Sequence, residues 1–234
     1  MSGMIRIPAM KIVEATKKHT ATLILFHGSG GNGDDMKEWV DMMNREELKF
    51  PHIKIIYPTA PPQRYTPNGG MISNVWFDRK DISMFVPEEV ESVNLMCEKA
   101  SELIEKETEI GIPESRIVLG GFSMGGALAM YMSYKYKKSV AGCVAMSTFL
   151  NVNSMVYEEL KSDTAKNVPP LLQFHGANDA LVPFTWGEET CKVLKSLGVN
   201  VEFVRLKNAY HELAREEIAY LKKWVLNILP EVTS

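Results

Sequence analysis

The chain has 234 residues, 45% of them apolar and 24% charged, which fits one large globular α/β unit. A net charge of −3, with Lys and Arg spread among Asp and Glu, leaves no basic footprint for nucleic acid. No apolar run approaches the roughly 18 residues that mark a membrane span.

The first residues, Met1-Ser2-Gly3-Met4-Ile5-Arg6-Ile7-Pro8, hold no apolar h-region, so no secretory signal is expected. There is no Asn-x-Ser/Thr sequon, and neither end fits a myristoylation or prenylation pattern. Cys97, Cys143 and Cys191 are odd in number and lack metal spacing. They read as buried reduced thiols, and the expected compartment is the cytoplasm.

Residues 10–15 alternate weakly and suggest an edge strand. The run 20–26 is continuously apolar, as in a strand buried on both faces. It ends in His27-Gly28-Ser29-Gly30-Gly31-Asn32-Gly33, where glycines let the backbone approach a ligand. Asp34 or Asp35 is the expected cap of a helix over 36–48. A strand at 52–58 leads into a long Pro/Gly-rich segment, 59–85. Its aromatic and apolar content argues for a working loop.

A helix is expected over 88–110, stopped by Gly111-Ile112-Pro113. Strand 116–120 then leads into a glycine-flanked serine, and 127–132 reads as a helix. A polar turn (135–139), a buried strand (140–147) and a second irregular segment (148–169) follow. The chain closes with strand 170–176, helix 187–197, strand 200–206 and helix 212–229. Strands alternating with helices predict a single domain over 1–234: one mostly parallel twisted sheet, helices on both faces and no large cap domain. No repeat, low-complexity tract or linker interrupts it.

The chemistry centres on Gly121-Phe122-Ser123-Met124-Gly125. A serine between strand and helix, with glycines two positions either side, has the context of a nucleophile elbow. The turn pushes the hydroxyl into the open, and the helix behind it aims N–H groups at the charge that develops.

A serine hydroxyl needs an imidazole to take its proton and an acid to orient that imidazole. In the chain order Ser, acid, His, only His175 and His211 follow Ser123, and only Asp163 and Asp179 lie between Ser123 and His211. Asp163 sits in a polar, surface-like run. Asp179 follows a buried strand and so excludes His175 by order, which leaves Ser123, Asp179 and His211. Glutamates are the remaining acid candidates, but Glu188 and Glu189 read as a helix first turn.

The backbone N–H groups of Met124 and Ser29 are the expected oxyanion donors. His27 and His175 read as loop braces rather than bases. No His, Cys and acids fall at metal-ligand spacing, so neither metal nor other cofactor is expected.

Several pieces together resemble the acyl-protein thioesterase and lysophospholipase family of α/β-hydrolases over nearly the full chain. They are Leu25-Phe26-His27-Gly28-Ser29-Gly30, Tyr57-Pro58-Thr59-Ala60-Pro61, Trp76-Phe77-Asp78, Gly120 to Gly126, His175-Gly176 with Asp179 and Val182-Pro183, and His211 before the last helix. Within the family, the runs 53–62 and 72–79 and Gly-Phe-Ser-Met-Gly-Gly are most similar to the lysophospholipase-like branch.

The resemblance implies a minimal hydrolase core acting on acyl thioesters of lipidated proteins or on carboxylic esters such as lysophospholipids. It implies Ser123, Asp179 and His211 as the triad, with Ser29 and Met124 as donors. The thioesterases proper usually carry Gln after the nucleophile, and Met124 departs from that, which puts acyl-chain preference in question. It further implies a substrate groove under loop 61–77. Met71, Ile72, Val75 and Trp76 are the candidates for one wall, with Leu181 and Val182 opposite. The alternative is that these side chains only pack the loop onto the sheet. The expected partners are an acylated protein or a small acyl ester, with no nucleic acid and at most transient contact with a membrane surface. Rival readings are a short-chain carboxylesterase, a non-catalytic lipid binder that keeps the fold, and a peptidase sharing the triad.

Overall fold

The computed structural model describes residues 7, 9–163 and 167–232. Of the amino-terminal stretch read for targeting signals, 1–6 and Pro8 lie outside the described residues, as does Thr164 beside Asp163. The strands are β1 (Met10–Val13), β2 (Ala21–Phe26), β3 (Ile53–Pro58), β4 (Pro62–Tyr65), β5 (Met71–Asn74), β6 (Ile117–Phe122), β7 (Gly142–Met146), β8 (Leu171–Gly176) and β9 (Val201–Leu206). The helices are α1 (Gly33–Asn44), α2 (Val90–Glu109), α3 (Met124–Tyr131), α4 (Met155–Ser162), α5 (Phe184–Ser196) and α6 (Arg215–Ile228).

Seven strands form one sheet in the order β1-β3-β2-β6-β7-β8-β9. Only the edge strand β1 runs antiparallel to its neighbour; the other pairs are parallel. This is the mostly parallel sheet that the alternating pattern predicts. Strand alternation then divides the core. Leu23 and Leu25 of β2 and Val118 of β6 face a layer with Met36 and Val40 of α1 and Ile218, Leu221 and Val225 of α6. Ile24, Phe26 and Leu119 face the opposite layer, with Met96 and Cys97 of α2 and Leu128 of α3. All three cysteines are free and buried.

Several boundaries differ from the sequence reading. Asn32, not Asp34 or Asp35, caps α1: its side-chain carbonyl accepts the Asp35 N–H at 2.9 Å, so the helix starts at Gly33. It ends earlier too, where Arg45 turns left-handed at φ 66°. Segment 59–85 is not wholly irregular, because β4 and β5 pair antiparallel as a hairpin. The signal was Asn68-Gly69: Gly69 and Gly70 take positive φ at its tip. Segment 148–169 contains α4, which Ser154 caps and which buries Val156, Tyr157 and Leu160. The expected polar turn at 135–139 begins instead as a wider helical turn, Met132–Tyr136, that prolongs α3.

Candidate active site

β6 and α3 meet at Ser123, whose backbone sits at φ 53° and ψ −119°. A non-glycine residue held there carries roughly 1–3 kcal/mol of strain. Neighbouring structure holds it in place: the Ser123 N–H donates to Met146 O at 2.8 Å, and Ser123 O accepts from Gly126 and Ala127 at 3.0 and 3.2 Å. The two flanking glycines are required sterically. A Cβ on Gly121 would lie 2.3 Å from the Gly125 carbonyl carbon, and one on Gly125 would lie 2.3 Å from Phe26 O. The turn is therefore pressed between β2 and its own helix, and Ser123 stays partly exposed among buried neighbours.

The loop after β9 brings His211 to this serine. His211 Nε2 lies 3.1 Å from Ser123 Oγ, and His211 Nδ1 lies 2.7 Å from Asp179 Oδ2. Asp179 follows β8. Its Oδ1 accepts the N–H groups of Leu181 at 3.0 Å and Val182 at 2.8 Å, which fixes the carboxylate plane. Burial alone would raise the Asp179 pKa, but the His211 hydrogen bond and the Val182 N–H outweigh it and hold the carboxyl below its ordinary value. A carboxylate so held accepts Nδ1–H and leaves Nε2 facing the serine as a proton acceptor. Phe122 backs the imidazole, with ring centroids 4.8 Å apart. The three residues selected by chain order are thus joined by hydrogen bonds, while Asp163 pairs with Lys138 elsewhere.

His27 and His175 do structural work nearby. His27 Nδ1–H donates to Gly28 O at 2.6 Å and Nε2 accepts the Ala60 N–H at 2.9 Å, so the ring is a neutral brace. Burial lowers its pKa, in keeping with that state. Trp76 Nε1–H donates to His27 O at 2.8 Å. His175 Nε2–H donates to Val182 O at 2.8 Å, and burial lowers its pKa as well. Ser29 follows the tight His27-Gly28 turn after β2, and Met124 directly follows Ser123. The Met124 N–H opens α3, where the first N–H groups lack intrahelical acceptors.

A cavity of ≈ 160 Å³ contains Ser123 and His211 in its wall. Ser29, Met124, Leu181 and Val182 also line it. The other four residues expected at the groove are not in its lining. Val75 and Trp76 are fully buried in the core, and Met71 and Ile72 stand out on β5, with Ile72 66% exposed. Tyr65, Arg79, Ile82, Thr148 and Phe149 form much of the remaining wall, and sequence reasoning missed them. Their signal was weak: Tyr65 ends the short strand β4, and the other four lie in connections whose side-chain direction no periodicity reveals.

A family model described as Phospholipase/Carboxylesterase matches residues 8–229. The chain belongs to the phospholipase/carboxylesterase family. Within that family it is 48% identical over 222 residues to lysophospholipase-like protein 1 of Mus musculus, covering 95% of this chain and 92% of that protein. It is 34% identical to acyl-protein thioesterase 1 homolog 1 of Dictyostelium discoideum, covering 91% and 92%. Among solved structures, acyl-protein thioesterase 2 of Zea mays superposes with a TM-score of 0.82 at 27% identity, covering 94% of this chain and 99% of that one.

Among the described residues, no group of three or more His, Cys, Asp or Glu is arranged to hold a metal, and no helix is long and apolar enough to cross a membrane.

Proposed function

We propose that the chain is a serine hydrolase that cleaves acyl thioesters or carboxylic esters through an acyl-enzyme on Ser123. The observation that carries this reading is the hydrogen-bonded series from Asp179 through His211 to Ser123 at a strained strand-to-helix turn. His211 Nε2 takes the Ser123 proton as Oγ attacks the acyl carbonyl. The oxyanion rests on the N–H groups of Met124 and Ser29, beside the positive end of α3. His211 then protonates the departing thiol or alcohol, and water cleaves the acyl-enzyme by the same route in reverse. The names of the thioesterase and lysophospholipase-like relatives support acyl groups as substrates. An acylated protein or a small acyl ester is the proposed partner, met in the cytoplasm.

The small cavity favours short acyl chains. At ≈ 160 Å³ it lies below the roughly 300 Å³ at which ligand pockets usually begin. The short-chain carboxylesterase therefore stands as a second reading on its own observation.

Two experiments test these readings. Ser123→Ala abolishes hydrolysis of acyl esters and labelling by a fluorophosphonate; full activity in that variant would refute the mechanism. Plotting kcat/KM from acetyl to palmitoyl esters separates the substrate readings. A maximum at short chains supports the carboxylesterase, and a maximum at long chains supports a lipidated substrate.

A further inference from the structure

Arg79 lines the same cavity as Ser123 and His211. Its guanidinium carbon lies 5.1 Å from the centroid of the Phe77 ring and 5.6 Å from that of Phe149. Its Nε is buried and has no hydrogen-bond partner. Asp78 and Glu88 are near enough for their charges to favour the guanidinium, but their oxygens accept from other donors. Asp78 accepts the Thr66 N–H and hydroxyl and the backbone N–H of Arg79 itself. Glu88 accepts the Tyr131 hydroxyl at 2.6 Å and the Met155 N–H at 2.9 Å. Burial pushes the Arg79 pKa down, yet a guanidinium remains charged in proteins.

Arg79 is partly buried, and its unpartnered Nε leaves hydrogen-bonding capacity that an anion in the cavity would use. Ring contacts stabilise a guanidinium only modestly and do not replace an anion. They do hold the planar fork in one orientation, which lowers the ordering cost of binding. A wall that served only an apolar acyl chain would be better filled by Leu or Met.

We infer that Arg79 is a specificity-determining residue that pairs with an anionic group, a carboxylate or a phosphate, carried by the substrate close to the carbonyl that Ser123 attacks. This rests on the hydrolase reading and narrows it to anionic esters and thioesters. Arg recognises both anions through the same paired N–H donors, so the two sources must be separated by substrate design.

Two matched substrate pairs do this. The 4-nitrophenyl butyrate and mono-4-nitrophenyl glutarate pair adds a carboxylate on the acyl side. Butyryl glycerol and butyryl glycerol phosphate add a phosphate on the leaving side. In at least one pair the protein favours the anionic member in kcat/KM, and Arg79→Gln lowers that preference by about tenfold, the scale of one charge-assisted pairing. Arg79→Met, which keeps an apolar stem, repeats the measurement should Arg79→Gln fail to fold. A preference unchanged by removing the charge in both pairs overturns the inference. Titration of glutarate and inorganic phosphate into wild type and variant supplies a readout without turnover. If none of the four esters is hydrolysed, the hydrolase reading fails, and loss or retention of anion binding on substituting Arg79 decides this inference alone.

Discussion

The Ser29 hydroxyl points at the Met124 thioether, with Oγ 3.7 Å from Sδ. The two residues whose backbone N–H groups are the proposed oxyanion donors therefore touch through their side chains. The contact is a weak hydrogen bond in energy, but it ties the loop after β2 to the first turn of α3. Met124→Ala separates the two roles of this residue. Truncating the buried side chain costs about 2–5 kcal/mol of stability. Its N–H survives, so kcat/KM well below the melting temperature falls by less than the ~10²–10³ that loss of a donor would bring. Thermal melts and steady-state kinetics on one preparation check both halves.

Asp179→Asn tests orientation without removing bulk. Oδ1 already accepts two backbone N–H groups, so the new amide must turn its NH₂ toward His211 Nδ1. That forces the proton onto Nε2, where it can no longer accept from Ser123. The expected loss in kcat is on the order of 10⁴ with little change in fold. Circular dichroism and ester turnover together provide the check.

Trp76 marks where the sequence reading and the structure part. It was expected at the substrate groove, but it is fully buried and its indole N–H holds His27 O. Trp76→Phe leaves that carbonyl without its donor, at a cost of about 1–3 kcal/mol. The Ser29 loop loosens, so kcat is expected to fall more than KM rises. A larger effect on KM alone would return Trp76 to the groove.

Glu217 supplies a pH signature remote from the serine. Burial pushes its carboxyl up to about 8. One oxygen accepts the Ala214 N–H at 2.9 Å and the other is buried without a partner. Its folded pKa lies above the unfolded value, so its contribution is fully present below the unfolded pKa near 4.5 and is lost as pH rises toward 8. Glu217→Gln, which cannot ionise, is expected to raise the melting temperature at pH 8 relative to wild type and to change it little at pH 4. Melting curves across that range give the answer.

Much of this was legible because strand burial and chain order are one-dimensional signals. Runs such as 20–26 are apolar throughout because both sheet faces are covered, and glycines at 121 and 125 are needed wherever a turn is pressed this tightly. Ser123, Asp179 and His211 could be picked by order because each follows a recognisable strand. The cavity wall was less legible. Arg79 and Phe149 lie in connections, where the direction of a side chain depends on contacts with distant segments. The hairpin and α4 were hidden for a related reason. Each is short, and the Pro and Gly around one and the polar residues around the other masked its pattern.

The β4–β5 hairpin and the residues just after it meet the loop after β2 at two points. Gly30 N–H donates to Asn74 O at 2.9 Å, and two residues on, Trp76 donates to His27 O. For anyone wishing to graft new recognition onto this scaffold, that divides the hairpin into a replaceable tip and a fixed root. The tip around Gly69, Gly70 and Met71 can be lengthened or recoded while Asn74 and Trp76 stay in register. Shifting the root by a single residue would move the segment that presents Ser29.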